Sequence, residues 1–164
     1  MLALSVLMSG SRRGKITTVI NYNFDSLLEW YLIQHGYVVG VVEDLPKTIP
    51  EADALIYHPH GYLPFDSKYG YDSTRIVFDA SAMAGQQFDQ RWTDFFRFCL
   101  TMKFFIAVGL SGTDPAVRAT LLEAKQIASE VRQTLGVWIC KRDSIDAATK
   151  LLLDEAQVAV IEFE

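Results

Sequence analysis

Short apolar runs alternate with longer segments of helical periodicity along this chain. Residues 16–21, 37–42 and 54–57 are rich in β-branched and aromatic side chains, as strands are. Residues 26–35 instead repeat apolar side chains at the spacing of one helix face. The same reasoning predicts strands over 75–78, 104–108, 137–140 and 158–163, and helices over 88–101, 115–131 and 144–155. This alternation predicts an α/β fold, a Rossmann-like three-layer domain with a mainly parallel sheet.

The composition is that of one folded domain, which we expect to span residues 1–164. The chain is long enough to bury a core, and half of its residues are apolar. Its net charge of -5 argues against a broad surface for nucleic acid or anionic lipid. No apolar run reaches the roughly 20 residues that a transmembrane helix needs. We therefore expect neither a nucleic-acid nor a membrane partner.

The two cysteines, Cys99 and Cys140, each lie in an apolar run. This setting favours reduced thiols in the core of a cytoplasmic protein. Neither cysteine belongs to a C-x-x-C pair, so the chain cannot build a structural zinc ribbon from them.

The first candidate site follows the strand predicted over 16–21. Asn23 and Asp25 stand between that strand and the next helix. In parallel α/β sheets such strand ends line the ligand crevice. A local role is the alternative, because Asn and Asp before a helix satisfy its unpaired N–H groups. The order Ser26-x-x-Glu29 also fits a capping box.

The second candidate site follows the strand predicted over 54–57. His60 is the candidate general base, because imidazole titrates near neutral pH. Gly61 lets the backbone approach a ligand closely. Two alternatives stay open: a loop histidine with no role, and a metal pair of His58 with His60. No third metal ligand is evident nearby in the sequence.

A third candidate site is the glycine-rich turn over residues 109–115. Gly109 and Ser111 can present an N–H group and a hydroxyl to a phosphate or a ribose. Asp114 followed by Pro115 fits the N-cap and first position of a helix. An ordinary strand-to-helix turn is the alternative. Residues 10–15 look like a phosphate-binding loop, but the glycine spacing and the residue after Lys15 do not fit.

Together these motifs resemble the SIR2-like NAD-consuming domain, in its bacterial defence-associated branch. The pattern T-x-N-[Y/F]-D-x-L-L-E is matched over residues 21–29, with Asn21 where the family has Thr. The H-G pair follows at His60 and Gly61, and the G-x-S-x-x-D-P element at residues 109–115. The family also opens with a glycine-rich turn for the NAD pyrophosphate, and nothing like it precedes Asn23.

The resemblance implies a role for each candidate residue. Asn23 would orient the water or a ribose hydroxyl, and His60 would be the base. The implied contacts to NAD, as substrate, come from Asp25 in the nicotinamide-side pocket, from Gly61 beside the ligand, and from Gly109, Ser111 and Asp114 on the adenosine side.

The implied function is hydrolysis of NAD⁺ to ADP-ribose and nicotinamide, in defence against phage. The lack of a zinc ribbon favours an NADase over a protein deacylase. Because the glycine-rich motif is missing, we expect an N-terminally truncated domain with weak NAD⁺ binding. Its open sheet edges would be covered by a homo-oligomer or a partner chain. The alternative function is a catalytically inactive module for nucleotide binding or protein interaction.

Overall fold

The computed structural model describes residues 7–8, 16–45, 47, 49, 51–66, 76, 90–110, 112–131 and 133–164. It divides the chain into two compact units, Met1–Ala82 and Met83–Glu164. The first unit contains β1 (Thr18–Ile20), α1 (Leu27–Gln34), β2 (Val39–Val42) and β3 (Ala54–Tyr57). The second contains α2 (Gln90–Met102), β4 (Phe105–Val108), α3 (Pro115–Val131), β5 (Gly136–Lys141), α4 (Ala147–Glu155) and β6 (Val158–Phe163).

The first unit holds a three-stranded parallel sheet in the order β1-β3-β2. Both outer strands pair with β3 in a register that places the last residues of the three strands next to one another. Ile20 at the end of β1 and Val42 at the end of β2 are both paired with Tyr57. The carboxyl ends of all three strands therefore lie at one edge of this sheet.

A small apolar core fixes α1 against this sheet. Its buried members are Met8, Leu28, Leu32, Ala54 and Ile56. Burial of such side chains is the main force that holds a helix to a sheet, at about 25 cal/mol per Å² of apolar surface. Gly36 ends α1 with a φ of 81°, as expected of a glycine just after a helix.

The second unit holds another three-stranded parallel sheet, in the order β4-β5-β6. Trp138 of β5 is buried, and so are Ala124 and Ala128 of α3. Ion pairs between exposed or partly exposed side chains, Arg97–Glu123 and Lys125–Glu155, join α2 to α3 and α3 to α4. None of the helices described in the structure is long and apolar enough to cross a membrane.

The described strands pair in parallel and alternate with helices, which confirms the prediction of a Rossmann-like α/β fold. The apolar run over 104–108 also predicts a strand buried on both faces, and this is only half right. Ala107 is buried beside Trp138, but Ile106 and Val108 on the other face are 39% and 50% exposed. Successive side chains of a strand point to opposite faces, so one packed face buries alternate residues. The strand predicted over 75–78 and the turn over 10–15 lie outside the described residues, except for Ile76.

Leu32→Ala should lower the free energy of unfolding by about 2–5 kcal/mol, because Leu32 is fully buried and its truncation leaves a cavity in the core. Ile33→Ala on the next position of α1 is the matched control. Ile33 is 53% exposed, and its loss should change stability by less than about 0.5 kcal/mol. Urea denaturation of both variants measures the difference, and equal losses would contradict the packing of α1.

Candidate functional site

The turns that follow β1 and β3 bring Asn23 and His60 to the same edge of the first sheet. Ile20 is paired with Tyr57 in the parallel register, and each candidate follows three residues later. The His60 ring lies 5.4 Å from the ring of Tyr22, measured between centroids. Asn23 is exposed, whereas His60 is 5% exposed. The structure therefore places these two predicted residues just after the ends of neighbouring strands.

The turn at Asn23 is shaped by the side chain of Asn21. The Asn21 amide N–H donates to the Tyr57 carbonyl at 2.8 Å, which continues the pairing of β1 with β3. The Asn21 Oδ1 atom then accepts from the Asn23 amide at 3.1 Å. This is the local side-chain bond by which Asn favours turns. The Asn21 Nδ2 group is buried and has no hydrogen-bond partner among the described residues.

Asp25 is the residue that meets the start of α1. Its Oδ1 atom accepts from the Leu27 amide at 3.1 Å, while the Ser26 side chain makes no capping bond. The predicted capping box of Ser26 and Glu29 is therefore wrong. The physical reason is that Glu29 turns inward, where it is buried and contacts His58.

A tight turn after β3 positions His60. The Gly61 amide donates to the His58 carbonyl at 3.1 Å, which closes a turn with Pro59 and His60 in its centre. Proline is favoured at the second position of such turns, and glycine at the fourth. Gly61 is buried and has a φ of 89°, a conformation that other residues adopt only with strain. The local sequence thus shapes the turn that carries His60.

His58 is fully buried, and both of its ring nitrogens contact oxygen atoms of the protein. Nδ1 lies 2.9 Å from the Asn23 carbonyl oxygen, and Nε2 lies 2.5 Å from Glu29 Oε1. These contacts leave neither nitrogen for a metal shared with His60. Sequence reasoning missed this pair. The sequence feature that could have indicated the pair is the charged Glu29 directly after the core residue Leu28.

The segment after Gly61 runs back beside the turn of Asn23. The Leu63 amide donates to the Phe24 carbonyl at 2.6 Å, and Leu63 forms a parallel bridge with Asp25. The backbone between β1 and α1 is thus held by the Leu63 amide as well as by the His58 ring. This arrangement keeps the turns that carry Asn23 and His60 in contact.

The glycine-rich turn of the second unit opens α3 as predicted. Asp114 Oδ1 accepts from the Val117 amide at 3.3 Å, which confirms the N-cap at Asp114 before Pro115. Gly109 and Gly112 have φ values of 70° and 75°. Space around the α-carbon of Gly109 is open, whereas Gly112 lies against Thr149 of α4. Ser111, the predicted nucleotide contact, lies outside the described residues.

The predicted site residues thus fall into two groups. Asn23, Asp25, His60 and Gly61 belong to the first unit, and Gly109 and Asp114 belong to the second. Within the first group the structure brings Asn23 and His60 to one sheet edge. That the second group joins them around one ligand stays a prediction.

Both cysteines are free thiols, and neither is placed as an activated nucleophile. Burial raises the pKa of the Cys99 thiol, and the positive charge of Lys103 offsets this only in part. Cys140 is buried in β5. In the part of the chain that the structure describes, no three His, Cys, Asp or Glu side chains cluster as a metal site would require.

Comparison with known proteins identifies a family. A family model described as the SIR2-like domain matches residues 17–161, which is most of the chain and includes all three candidate sites. No curated protein matches the chain. The family match supports a function related to NAD.

Gly112→Ala should destabilise the protein much more than Gly109→Ala. Both glycines have positive φ, which costs an alanine about 1–2 kcal/mol. Only at Gly112 would the added methyl group also collide, with the Cγ2 atom of the buried Thr149. Overpacking adds a further 1–3 kcal/mol or so. Chemical denaturation measures both, and equal losses would contradict the close approach of Thr149.

Asp114→Ala should lower the free energy of unfolding by about 1 kcal/mol, the usual cost of losing an N-cap. Asp114→Asn should cost little, because Asn caps helices as well as Asp does. Thermal denaturation of the two variants separates the capping role from any role of the charge. A large loss in the Asn variant would show that the charge, and not the cap, matters.

Proposed function

We propose that this chain, which belongs to the SIR2-like domain family, hydrolyses NAD⁺ to ADP-ribose and nicotinamide. The observation that carries the proposal is the placement of Asn23 and His60 at paired strand ends, inside the region that matches the family. A buried imidazole and an exposed amide at one sheet edge can act on the same water molecule or hydroxyl.

The reaction breaks the bond between the ribose C1′ atom and the nicotinamide nitrogen. The bonding electron pair leaves with nicotinamide, which becomes neutral, and positive charge develops on the ribose. A water oxygen then bonds to C1′, and the water gives up a proton. The protein must therefore supply a base for that proton and a fixed position for the water.

His60 is the proposed base. Its side chain is buried and packs against the ring of Tyr22, in a turn closed by the Gly61 amide. Asn23 is the proposed orienting residue, since its exposed side chain can donate to one oxygen and accept from another. The nearby Asn21 Nδ2 group, without a protein partner in the described chain, supplies a further donor in this region.

Other residues of the proposed site would bind and not react. Asp25 contributes a carboxylate on the nicotinamide side, and its Oδ1 atom already accepts from α1. Gly61 would allow the close approach of the ligand. Gly109, with open space where a side chain would stand, and Ser111 would contact the adenosine side, with Asp114 holding that turn.

The biological role that we propose is depletion of NAD⁺ in anti-phage defence in the cytoplasm. A homo-oligomer or a partner chain would cover the open edges of its sheets.

The test is to incubate the purified chain with NAD⁺ and follow nicotinamide release by chromatography. His60→Ala should reduce the rate by about 10²-fold or more, the usual scale for loss of a general base. Asn23→Ala should reduce it by a similar factor, because the water would no longer be held. His35→Ala is the matched control, since His35 is an exposed histidine at the end of α1, and its rate should stay near wild type.

Three results would contradict this proposal. Full activity in His60→Ala would remove the base assignment. Binding of NAD⁺ in a calorimeter without any nicotinamide release would instead favour the inactive nucleotide-binding module. Absence of both binding and release would favour a protein-interaction module.

A further inference from the structure

We infer that His58, together with Glu29, is a positioning residue that fixes the backbone of Asn23 and joins it to the turn of His60. The inference rests on the proposed function, since it explains how the two proposed catalytic side chains keep their relative position. It assigns a role to the histidine that the proposed chemistry does not use.

The contacts of the His58 side chain run to two different elements. Its Nδ1 atom meets the Asn23 carbonyl oxygen at 2.9 Å, in the turn after β1. Its Nε2 atom meets Glu29 Oε1 at 2.5 Å, in the first turn of α1. The two side chains are 0% and 2% exposed, so water does not compete for these bonds.

The backbone of His58 makes the connection to His60. Its amide donates to the Val42 carbonyl of β2 at 2.9 Å, and its carbonyl accepts from Gly61 at 3.1 Å. The ring of Tyr62 packs 4.8 Å from the His58 ring, between centroids. One residue is thus bonded to the β2 strand, the His60 turn, the Asn23 turn and the α1 helix.

The donors and acceptors require a specific arrangement of protons. The Asn23 carbonyl can only accept, so Nδ1 must carry a hydrogen. A single proton then lies between Nε2 and the Glu29 carboxyl group, whichever of the two holds it. The pair therefore has no net charge and directs one N–H bond at the Asn23 backbone. A histidine without Glu29 would be free to adopt the other neutral tautomer, which cannot donate from Nδ1.

Core packing alone does not account for this pair. Buried ionic or polar pairs are often no more stabilising than apolar side chains of the same volume. The Glu29 Oε2 atom is also buried without a hydrogen-bond partner in the described residues, which is unfavourable. A role in fixing the position of the Asn23 turn accounts for the pair.

The experiment separates the two contacts of His58 with matched amides. In asparagine the Nδ2 group stands near the place of His Nδ1, and in glutamine the Nε2 group stands near that of His Nε2. His58→Asn should therefore keep the bond to Asn23, and His58→Gln should keep only the contact with position 29. Both are made together with Glu29→Gln, so that neither double variant buries an uncompensated charge.

The first readout does not depend on NAD⁺. Hydrogen exchange of the full chain, followed by mass spectrometry, reports on the segment 21–27 and on the segment 136–163 of the other unit. Relative to Glu29→Gln alone, the His58→Gln double variant should exchange about tenfold faster or more in segment 21–27 only. The His58→Asn double variant should exchange as Glu29→Gln does.

The second readout is turnover. Relative to Glu29→Gln alone, the His58→Asn double variant should keep kcat within about threefold. The His58→Gln double variant should lose about 10- to 100-fold, the scale expected when a reacting group is misplaced by about 1 Å. Rescue by asparagine but not by glutamine is a result that a purely structural role for His58 would not produce.

Equal exchange in segment 21–27 for the asparagine and glutamine variants would overturn the inference. So would equal losses of kcat in the two variants. If the wild-type chain releases no nicotinamide, the proposed function fails, and hydrogen exchange alone decides the positioning role. If the variants do not fold, ¹⁵N NMR of the wild-type rings decides it, because the inference requires a protonated Nδ1 on His58. A His58 ring that samples both tautomers would overturn it.

Discussion

The parallel pairing of β1 with β3 is the constraint on which the candidate site depends. Because Ile20 and Tyr57 are neighbours in register, the turns that follow them start from the same point of the sheet. Two residues that are distant in sequence, Asn23 and His60, are thereby placed at the same edge of the sheet. Leu32 of α1 is buried in the same core as Ile56 of β3, the strand that leads into the His60 turn, so the core and the site share this strand.

Much of this architecture could be predicted from local patterns. The β3 and β6 strands have the same bounds as the apolar runs that predict them. The cap at Asp114 follows from the order Asp-Pro before a helical segment. These features depend on neighbours in the chain, so the local sequence contains the needed information. The placement of Asn23 and His60 needed one further rule, that parallel strands end at the same edge.

The role of Glu29 could not be predicted in the same way. The spacing of Glu29 from Ser26 matches a capping box. The local pattern gives no sign that the Glu29 carboxylate instead contacts a side chain from another part of the fold. That partner, His58, is distant in sequence and comes close only once β3 has paired with β1. Contacts of this kind follow from the tertiary fold, as does the exposure of Val108 on the second face of β4.

The close approach of Gly112 to Thr149 restricts which substitutions this loop can accept during evolution. A side chain at position 112 would need space that only a smaller residue at position 149 could provide, and the positive φ of Gly112 would still oppose it. Two simultaneous replacements would thus remove the collision but leave the cost of the positive φ, about 1–2 kcal/mol for an alanine. Substitution of Gly112 is therefore opposed both by the contact with Thr149 and by its φ. Gly109, in the same loop, has open space around it and is restrained by its φ alone.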